Sequence, residues 1–532
     1  MTTLFTSEKG AIIARWAIAL LCCLTACSRS PEIDIERPLR VAVAVEVSSL
    51  DPQITTSIEA IKIQSALFQT LVKVDPETGN ILPAGATHWE ISEDGLSYTF
   101  HLRKDAYWSN GEPVVAGDYV FASRRLLDPQ LGAPFANLYF GITGAKEYLT
   151  GVIDDFANVG VKAIDSHTLA IRLSEPVPYM LSLLARPCVA ALPADYIISR
   201  GGERSRTSGW SFSSGFPSSG PYYLDSWVVN KYIRLEKNPR YWNRDEIEIP
   251  SILFYPMESA YAQEQGFRAG ALDVTSKLSA EQVPKYLGSK VITQQPEMGT
   301  FYIILNMDSP KLQSPELRHA LYAAVDRQSI VEQLRRRGET PAYSFCPPLW
   351  NDLYPEVKIP SGKSILPTLD SLPAEPLKMI IPVSENNNII AEALQEMWKQ
   401  RLGVDVQIYR QEWKTYYDSR NRGQFDLCLA TWIGDYYDPL TFLEMWKSDS
   451  PNNFCRRADL VFDEMLDRSG RMTSPAERMA LLASAEERFL EDYPVIPIFY
   501  LSRVFLVTED LENWPQSILN TVDYTRVRRI RH

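Results

Sequence analysis

The sequence predicts an α/β protein built from more than one domain. Two observations carry this: a length of 532 residues, beyond what one hydrophobic core usually supports, and β-branched segments that alternate with stretches of helical apolar spacing. The composition agrees, with 45% hydrophobic and 23% charged residues and no low-complexity tract, so the chain is expected to fold compactly.

Taken in order, Leu39 to Val47 alternates small and β-branched residues and reads as a buried strand that opens the fold after a polar linker at 28–37. Apolar residues at helical spacing follow over 61–74, with a turn at 75–80. A turn at Glu93, Asp94 and Gly95 leads into an alternating strand over 96–103, a second turn lies at 109–111, and 116–127 looks helical. Strands over 161–164 and 168–173 bracket Asp165 and Ser166, completing an α+β module. Aromatic-rich alternating strands occupy 219–242, and 252–255 is the next strand. Helical patterns at 315–337 and 388–402 flank strands near 301–306, 378–382 and 404–409, the arrangement of a further α/β unit with partly parallel strands. The Pro-rich stretch 341–376 has weak periodicity and is expected to wrap the surface.

The N-terminus carries an address. Lys9 and Arg15 precede an apolar run from Trp16 to Ala26, which fits the core of a secretory signal and falls short of the ~20 residues that span a bilayer. The run ends in Leu24, Thr25, Ala26 and Cys27, a lipoprotein-signal pattern that makes Cys27 the expected lipid-attachment residue and 1–26 the signal peptide. The mature chain is then expected outside the cytoplasmic membrane as a soluble body on a lipid tether. Of the remaining cysteines, 188, 346, 428 and 455 follow the signal, and their spacing does not decide whether or how they pair.

The formal net charge of −12 and the shortness of the basic clusters disfavour nucleic acid as a partner. The five histidines, at 88, 101, 167, 319 and 532, show no triad or zinc spacing, and there is no Cys-x-x-Cys motif. The segment 209–213 lacks the final glycine of a nucleophile elbow, and no phosphate-binding loop or dinucleotide fingerprint appears. No catalytic residue, cofactor or metal is therefore expected, and the reading is a binding protein without turnover. A secreted hydrolase, the rival from another class, lacks a nucleophile, base or metal constellation.

Aromatic residues stand out, with 12 Trp and 26 Tyr, and they gather around carboxylates in Thr431, Trp432, Ile433, Gly434, Asp435, Tyr436, Tyr437 and Asp438. Aromatic plates beside a carboxylate suit an enclosed ammonium-bearing ligand. The same residues also fit a strand ending in a turn, with core aromatics and an Asp that caps the next helix.

Residues 98–111, with Asp118 and the run Leu127, Asp128, Pro129, resemble the signature of the family 5 solute-binding proteins of peptide and nickel ABC importers. Further matches at 49–52, 160–165, 219–222, 238–242, 324–327, 411–415 and 432–439 follow the family's order across the mature chain. The likeness leans to the oligopeptide-binding branch and its murein-tripeptide relative. It implies a periplasmic-binding-protein-like type II fold of two hinged lobes with an extra inserted α+β domain. On this resemblance domain I covers 28–68, 195–298 and 503–532, domain II covers 69–194, and domain III covers 299–502. The lobes are expected to close on a short peptide, as a monomer that serves permease subunits of an ABC importer.

The resemblance also implies site residues. Asp435 matches the carboxylate that receives the peptide's α-ammonium, and Thr431, Trp432 and Ile433 match the strand that pairs with its backbone. Trp413 and Arg420 match pocket positions, and Thr56, Ser57 and Ile58 match an opposing strand. Some positions depart from the family: Leu429 and Asn387 stand where cationic groups serve the ligand carboxylate, Phe135 replaces a Tyr, Thr56 an acid, and Gly299 and Ile433 a cysteine pair. Trp108, Asp118, Tyr241, Asp326 and Arg327 are read as turn, cap and packing residues. A murein-tripeptide receptor, a nickel or metallophore receptor and a signalling receptor remain alternatives within the fold.

Overall fold

The computed structural model describes residues 37–75, 78–350, 353–359, 369, 371–514 and 521–530. The signal segment, Cys27 and most of the 28–37 linker lie outside the described residues.

Three main sheets organise the chain. The first has the order Leu39–Val43, Ser251–Pro256, Tyr232–Lys237, Tyr222–Val228, with its first pair parallel and the others antiparallel. The second is a four-stranded antiparallel sheet, Ala86–Ile91, Ser97–Leu102, Thr168–Arg172, Val161–Asp165. The third runs Thr340–Pro341, Val495–Leu506, Ile292–Leu305, Leu427–Ile433, Leu377–Pro382, Val406–Gln411, and its last three strands are parallel to one another.

Two long antiparallel strands, Ile292–Leu305 and Val495–Leu506, join the first and third sheets. Their inner ends lie in the third sheet, while bridges from Val274 to Val41 and to Val507 tie their outer ends to the first. The ladder shifts register between Pro296 and Thr300, where the chain passes from one body to the other. A bulge bends a strand without breaking it, so the pair changes direction here while its ladder continues.

Period-two alternation sorts the side chains of the third sheet. Leu427 and Leu429 bury into the cluster with Ile303, Leu394 and Trp398, whereas Cys428 and Ala430 bury on the opposite face with Tyr302 and Tyr416. The helix Glu385–Leu402 covers the first of these faces, capped at its start by Ser384, whose hydroxyl accepts the Asn387 amide, and stopped at Gly403 in the left-handed region.

Several expectations need correction. The helix expected over 61–74 is Ile58–Leu67, and Val72–Val74 is a strand, because the chain turns at Phe68 to pair with Ile81–Pro83. The pattern over 315–337 is broken: Pro315–Ala323 ends, Asp326 caps a new turn through the Ser329 amide, and a π-helical stretch runs Ile330–Arg335. The described part of 341–376 is not all surface, since Ala342, Phe345, Cys346 and Trp350 are buried in the core. Thr56, Ser57 and Ile58 form no strand: Ser57 is the N-cap of a helix that Ile58 opens. The four described cysteines are all unpaired thiols, each buried.

The structural roles read for the remaining motif residues hold. Asp118 accepts the Val115 amide at 2.9 Å and the Trp108 indole at 3.2 Å, closing the start of Ala116–Leu126. Arg327 is buried and donates to the carbonyls of Ala342 and Pro497 at 2.7 and 2.8 Å.

Candidate functional site

The strand Leu427–Ile433 is paired on both edges only at its start. Ile292–Leu305 runs along one edge from Leu305 opposite Leu427 to Gly299 opposite Ile433. On the other edge Leu377–Pro382 pairs only with Leu427 and Cys428, so among the described residues the edge from Leu429 to Ile433 has no strand partner. The Tyr416 hydroxyl donates to the Leu429 carbonyl at 2.7 Å, and Thr431 and Ile433 are exposed. An unpaired strand edge carries backbone donors and acceptors in a row, which is a template for a further strand.

The strand ends in a turn held from behind. The Gly434 amide donates to the Met298 carbonyl at 2.8 Å, the Asp435 amide to the Thr441 hydroxyl at 2.9 Å, and the Trp432 indole to the Thr441 carbonyl at 2.9 Å. A side chain at 434 would force its neighbours to shift: a Cβ there would lie 2.8 Å from Thr441 Cγ2 and 2.9 Å from Met298 Cε. Position 299, directly opposite Ile433, is as tight, with a Cβ meeting Leu501 Cδ1 at 2.5 Å.

Beyond the turn, Asp438 receives two hydrogen bonds from Arg478, 2.6 and 2.9 Å long, and caps Leu440 at 2.9 Å. The cap reading holds for Asp438 and not for Asp435. Asp438 is the cap and core anchor, while Asp435 faces a cleft.

That cleft is a cavity of about 750 Å³ between the 137–179 region and the 432–452 region. Trp432, Asp435, Tyr436 and Glu444 form one wall, and Asn137, Phe140, Val177 and Tyr179 lie on the other. A small recess of about 40 Å³ adjoins Asp435 and is lined by Phe135, Arg186, Thr55, Ile61 and Gln64. The structure thus joins Asp435 to Trp432 and Phe135, and it replaces the expected Thr56–Ile58 wall with Thr55 and the inner face of the following helix. Trp413 and Arg420 line neither space. They flank the free strand from the helix Trp413–Asn421, where Trp413 is exposed and packs on Tyr416, and Arg420 stacks over Phe454 at 4.1 Å with its Nε buried and unbonded. Leu429 points into the core and Asn387 bonds the Pro382 carbonyl, so neither faces the cleft.

Sequence reasoning missed the segment 179–188. Tyr179 stacks on Tyr436 at 4.0 Å, Ser182 accepts the Tyr437 amide at 3.1 Å, and the Arg186 guanidinium donates to the Asp435 carbonyl while stacking on Phe135 at 4.4 Å. No local signal marks these contacts, because the partners lie about 250 residues apart and Arg186 has an ordinary neighbourhood in the chain. Burial holds the Asp435 carboxyl above its usual 3.8, with Arg186 opposing the rise. Glu444, which accepts the Tyr436 hydroxyl at 2.8 Å, is pushed up to about 7 by burial, with the charges of Asp435 and Asp438 adding to the rise.

Two long strands that join the first and third sheets, a cleft between the second-sheet module and the third sheet, and a free strand edge whose Trp432 lines that cleft define a fold of the type II periplasmic-binding kind. The chain belongs to the bacterial extracellular solute-binding proteins, family 5, whose profile matches residues 80–454. It is 33% identical over 479 residues to the periplasmic oligopeptide-binding protein OppA of Escherichia coli K12, covering 87% of each chain. It is 32% identical over 510 residues to the periplasmic murein peptide-binding protein MppA of the same strain, covering 91% of each. The unliganded open form of MppA superposes with a TM-score of 0.80 at 29% identity, over 93% of this chain and 98% of the other. Haemophilus influenzae OppA in complex with the peptide RPPGFSPFR gives 0.73 at 30% identity, over 93% and 99%.

Proposed function

We propose that this protein captures short peptides in the cleft and delivers them to the permease of an ABC importer, without chemical turnover. The observation that carries the reading is the unpaired edge from Leu429 to Ile433 ending at Asp435. A guest strand laid along that edge bonds through its backbone, which tolerates varied side chains, and brings its amino end to the carboxylate. The ammonium then gives Asp435 the counter-charge that burial withholds, worth roughly 1.5–3 kcal/mol as a charge-assisted bond.

The cavity size falls within the roughly 300–1,000 Å³ of small-ligand sites, which suits peptides of a few residues. Five carboxylates and two lysines line it, a balance that favours cationic over anionic guests. Trp413 and Arg420 keep the pocket role that the resemblance implies, on the helix Trp413–Asn421 outside the two spaces described. The lobe assignment follows the resemblance, with domain I at 28–68, 195–298 and 503–532, domain II at 69–194 and domain III at 299–502. Anchoring through a lipid on Cys27 and action as a monomer complete the proposal.

The test is to denature the purified protein and identify by mass spectrometry whatever co-purifies. Peptides of about two to five residues are expected; a cell-wall tripeptide would narrow the class, and a metal complex without peptide would overturn the assignment. Peptide should also raise the melting temperature, since only the native state binds it.

A further inference from the structure

We propose that the outer face of the hairpin formed by Ala86–Ile91 and Ser97–Leu102 binds a divalent transition-metal ion of the zinc class through His88, Glu90 and His101. Two of the chain's five histidines meet here although they stand thirteen positions apart. The ladder sets His88 directly opposite His101, and the two-residue period puts Glu90 on the same face as His88. Tyr98, Phe100 and Leu102 take the core face of their strand, which leaves His101 on the outer one.

The donor atoms already lie close together. The two imidazoles stack at 4.3 Å with 11° between their planes, Glu90 Oε1 lies 3.6 Å from His101 Nε2, and one ligand atom from each residue falls within 4.8 Å of the others. Ligands about a tetrahedral zinc ion sit roughly 3.4 Å apart, given bond lengths near 2.1 Å. Rotations of the exposed His88 and Glu90 side chains on a fixed ladder close the difference.

Two independent details point to a ligand. His101 Nε2 is shielded from solvent and has no hydrogen-bond partner, an unusual state for a ring nitrogen beside a carboxylate. Thr87 lies 3.0 Å from His88 Nδ1 and donates its one proton to the His101 carbonyl at 3.1 Å. In the tautomer that carries its proton on Nδ1, His88 donates to this hydroxyl and keeps its Nε2 lone pair free for a metal. Two imidazoles and one carboxylate form a borderline donor set that suits zinc and its neighbours, whereas magnesium and calcium prefer oxygen alone. None of the three residues lines the cleft, so the site is separate from the one proposed for peptide.

The test titrates the chelator-treated chain, prepared without a polyhistidine tag, with ZnCl₂ and MgCl₂ in a calorimeter. One equivalent of zinc and no magnesium should bind. The H88A/H101A variant should lose the zinc heat, E90Q should weaken it, and T87V should weaken it by roughly 10-fold, while H319A retains it. An unchanged thermal melt and unchanged peptide binding in the variants show that the fold is intact. Absence of zinc binding, or zinc binding that survives H88A/H101A, overturns the proposal.

Discussion

Arg186 donates to the backbone carbonyl of Asp435 from across the recess beside it, and among the described residues the Asp435 carboxylate has this cation nearby but no ion-pair partner. A ligand ammonium is the missing partner in the proposed function. Asp435→Ala should lower peptide affinity roughly 10- to 100-fold by calorimetry. The melting temperature of the free protein should hold or rise slightly, because the variant removes a charge that burial disfavours. Unchanged affinity would contradict the assignment.

Only ionised Asp435 attracts an ammonium, and burial raises this carboxyl above 3.8. Peptide affinity should therefore fall as acid protonates the group, with a separate change near pH 7 where Glu444 of the same cleft titrates. Arg186→Met removes the charge that opposes the rise, and should shift the midpoint of this fall to higher pH. A midpoint unmoved by the substitution would separate Arg186 from the electrostatics of the site.

Glu444 sets a different pH dependence. Its carboxyl is raised from 4.5 to about 7 in the fold, mainly by burial. The native state thus holds a proton that the unfolded chain releases, so this contribution to stability is fully present below pH 4.5 and is lost as pH rises through about 7. The rise corresponds to on the order of 3 kcal/mol at full effect. Glu444→Gln keeps an acceptor for the Tyr436 hydroxyl and should make the variant more stable than the parent at pH 8 but not at pH 4.5, by thermal melting at the two values.

Gly434 is fixed by contact. A methyl group at 434 would press on Thr441, Met298 and Phe442 at 2.8, 2.9 and 3.0 Å. Gly434→Ala should cost about 1–3 kcal/mol in denaturant unfolding. It should also weaken peptide binding, because the Thr441 that it displaces holds the Asp435 amide.

Arg478 and Asp438 are both almost fully buried and doubly bonded. Arg478→Met should cost about 3–5 kcal/mol by leaving the carboxylate alone in the interior. The double variant Asp438→Leu with Arg478→Met should recover most of that loss, and failure to recover would mean that the pair does more than neutralise itself.

Much of the fold was legible because its signals are local. Strand alternation around Ser97–Leu102 and Thr168–Arg172 matches a sheet with one buried face, and the caps at Asp118 and Asp326 lie where turn chemistry puts them. The helix expected over 61–74 shows the limit. Leu71 and Val72 continue the apolar spacing, but pairing with Ile81–Pro83 outweighs it, and sheet pairing cannot be read from one segment alone. The connection after 341 reads as surface from its prolines, yet Phe345 and Trp350 find the core through partners far along the chain.

By itself the sequence determined the class of protein, the alternation of strands and helices, and Asp435 at the end of the Trp432 strand as the residue to examine, since motif, period and turn residues are properties of neighbours in the chain. Only the tertiary structure decided which strand edge stays open, that Arg186 and Tyr179 face Asp435 and Tyr436, and that His88 meets His101. Those outcomes depend on register and on the packing of distant segments, which no local window contains.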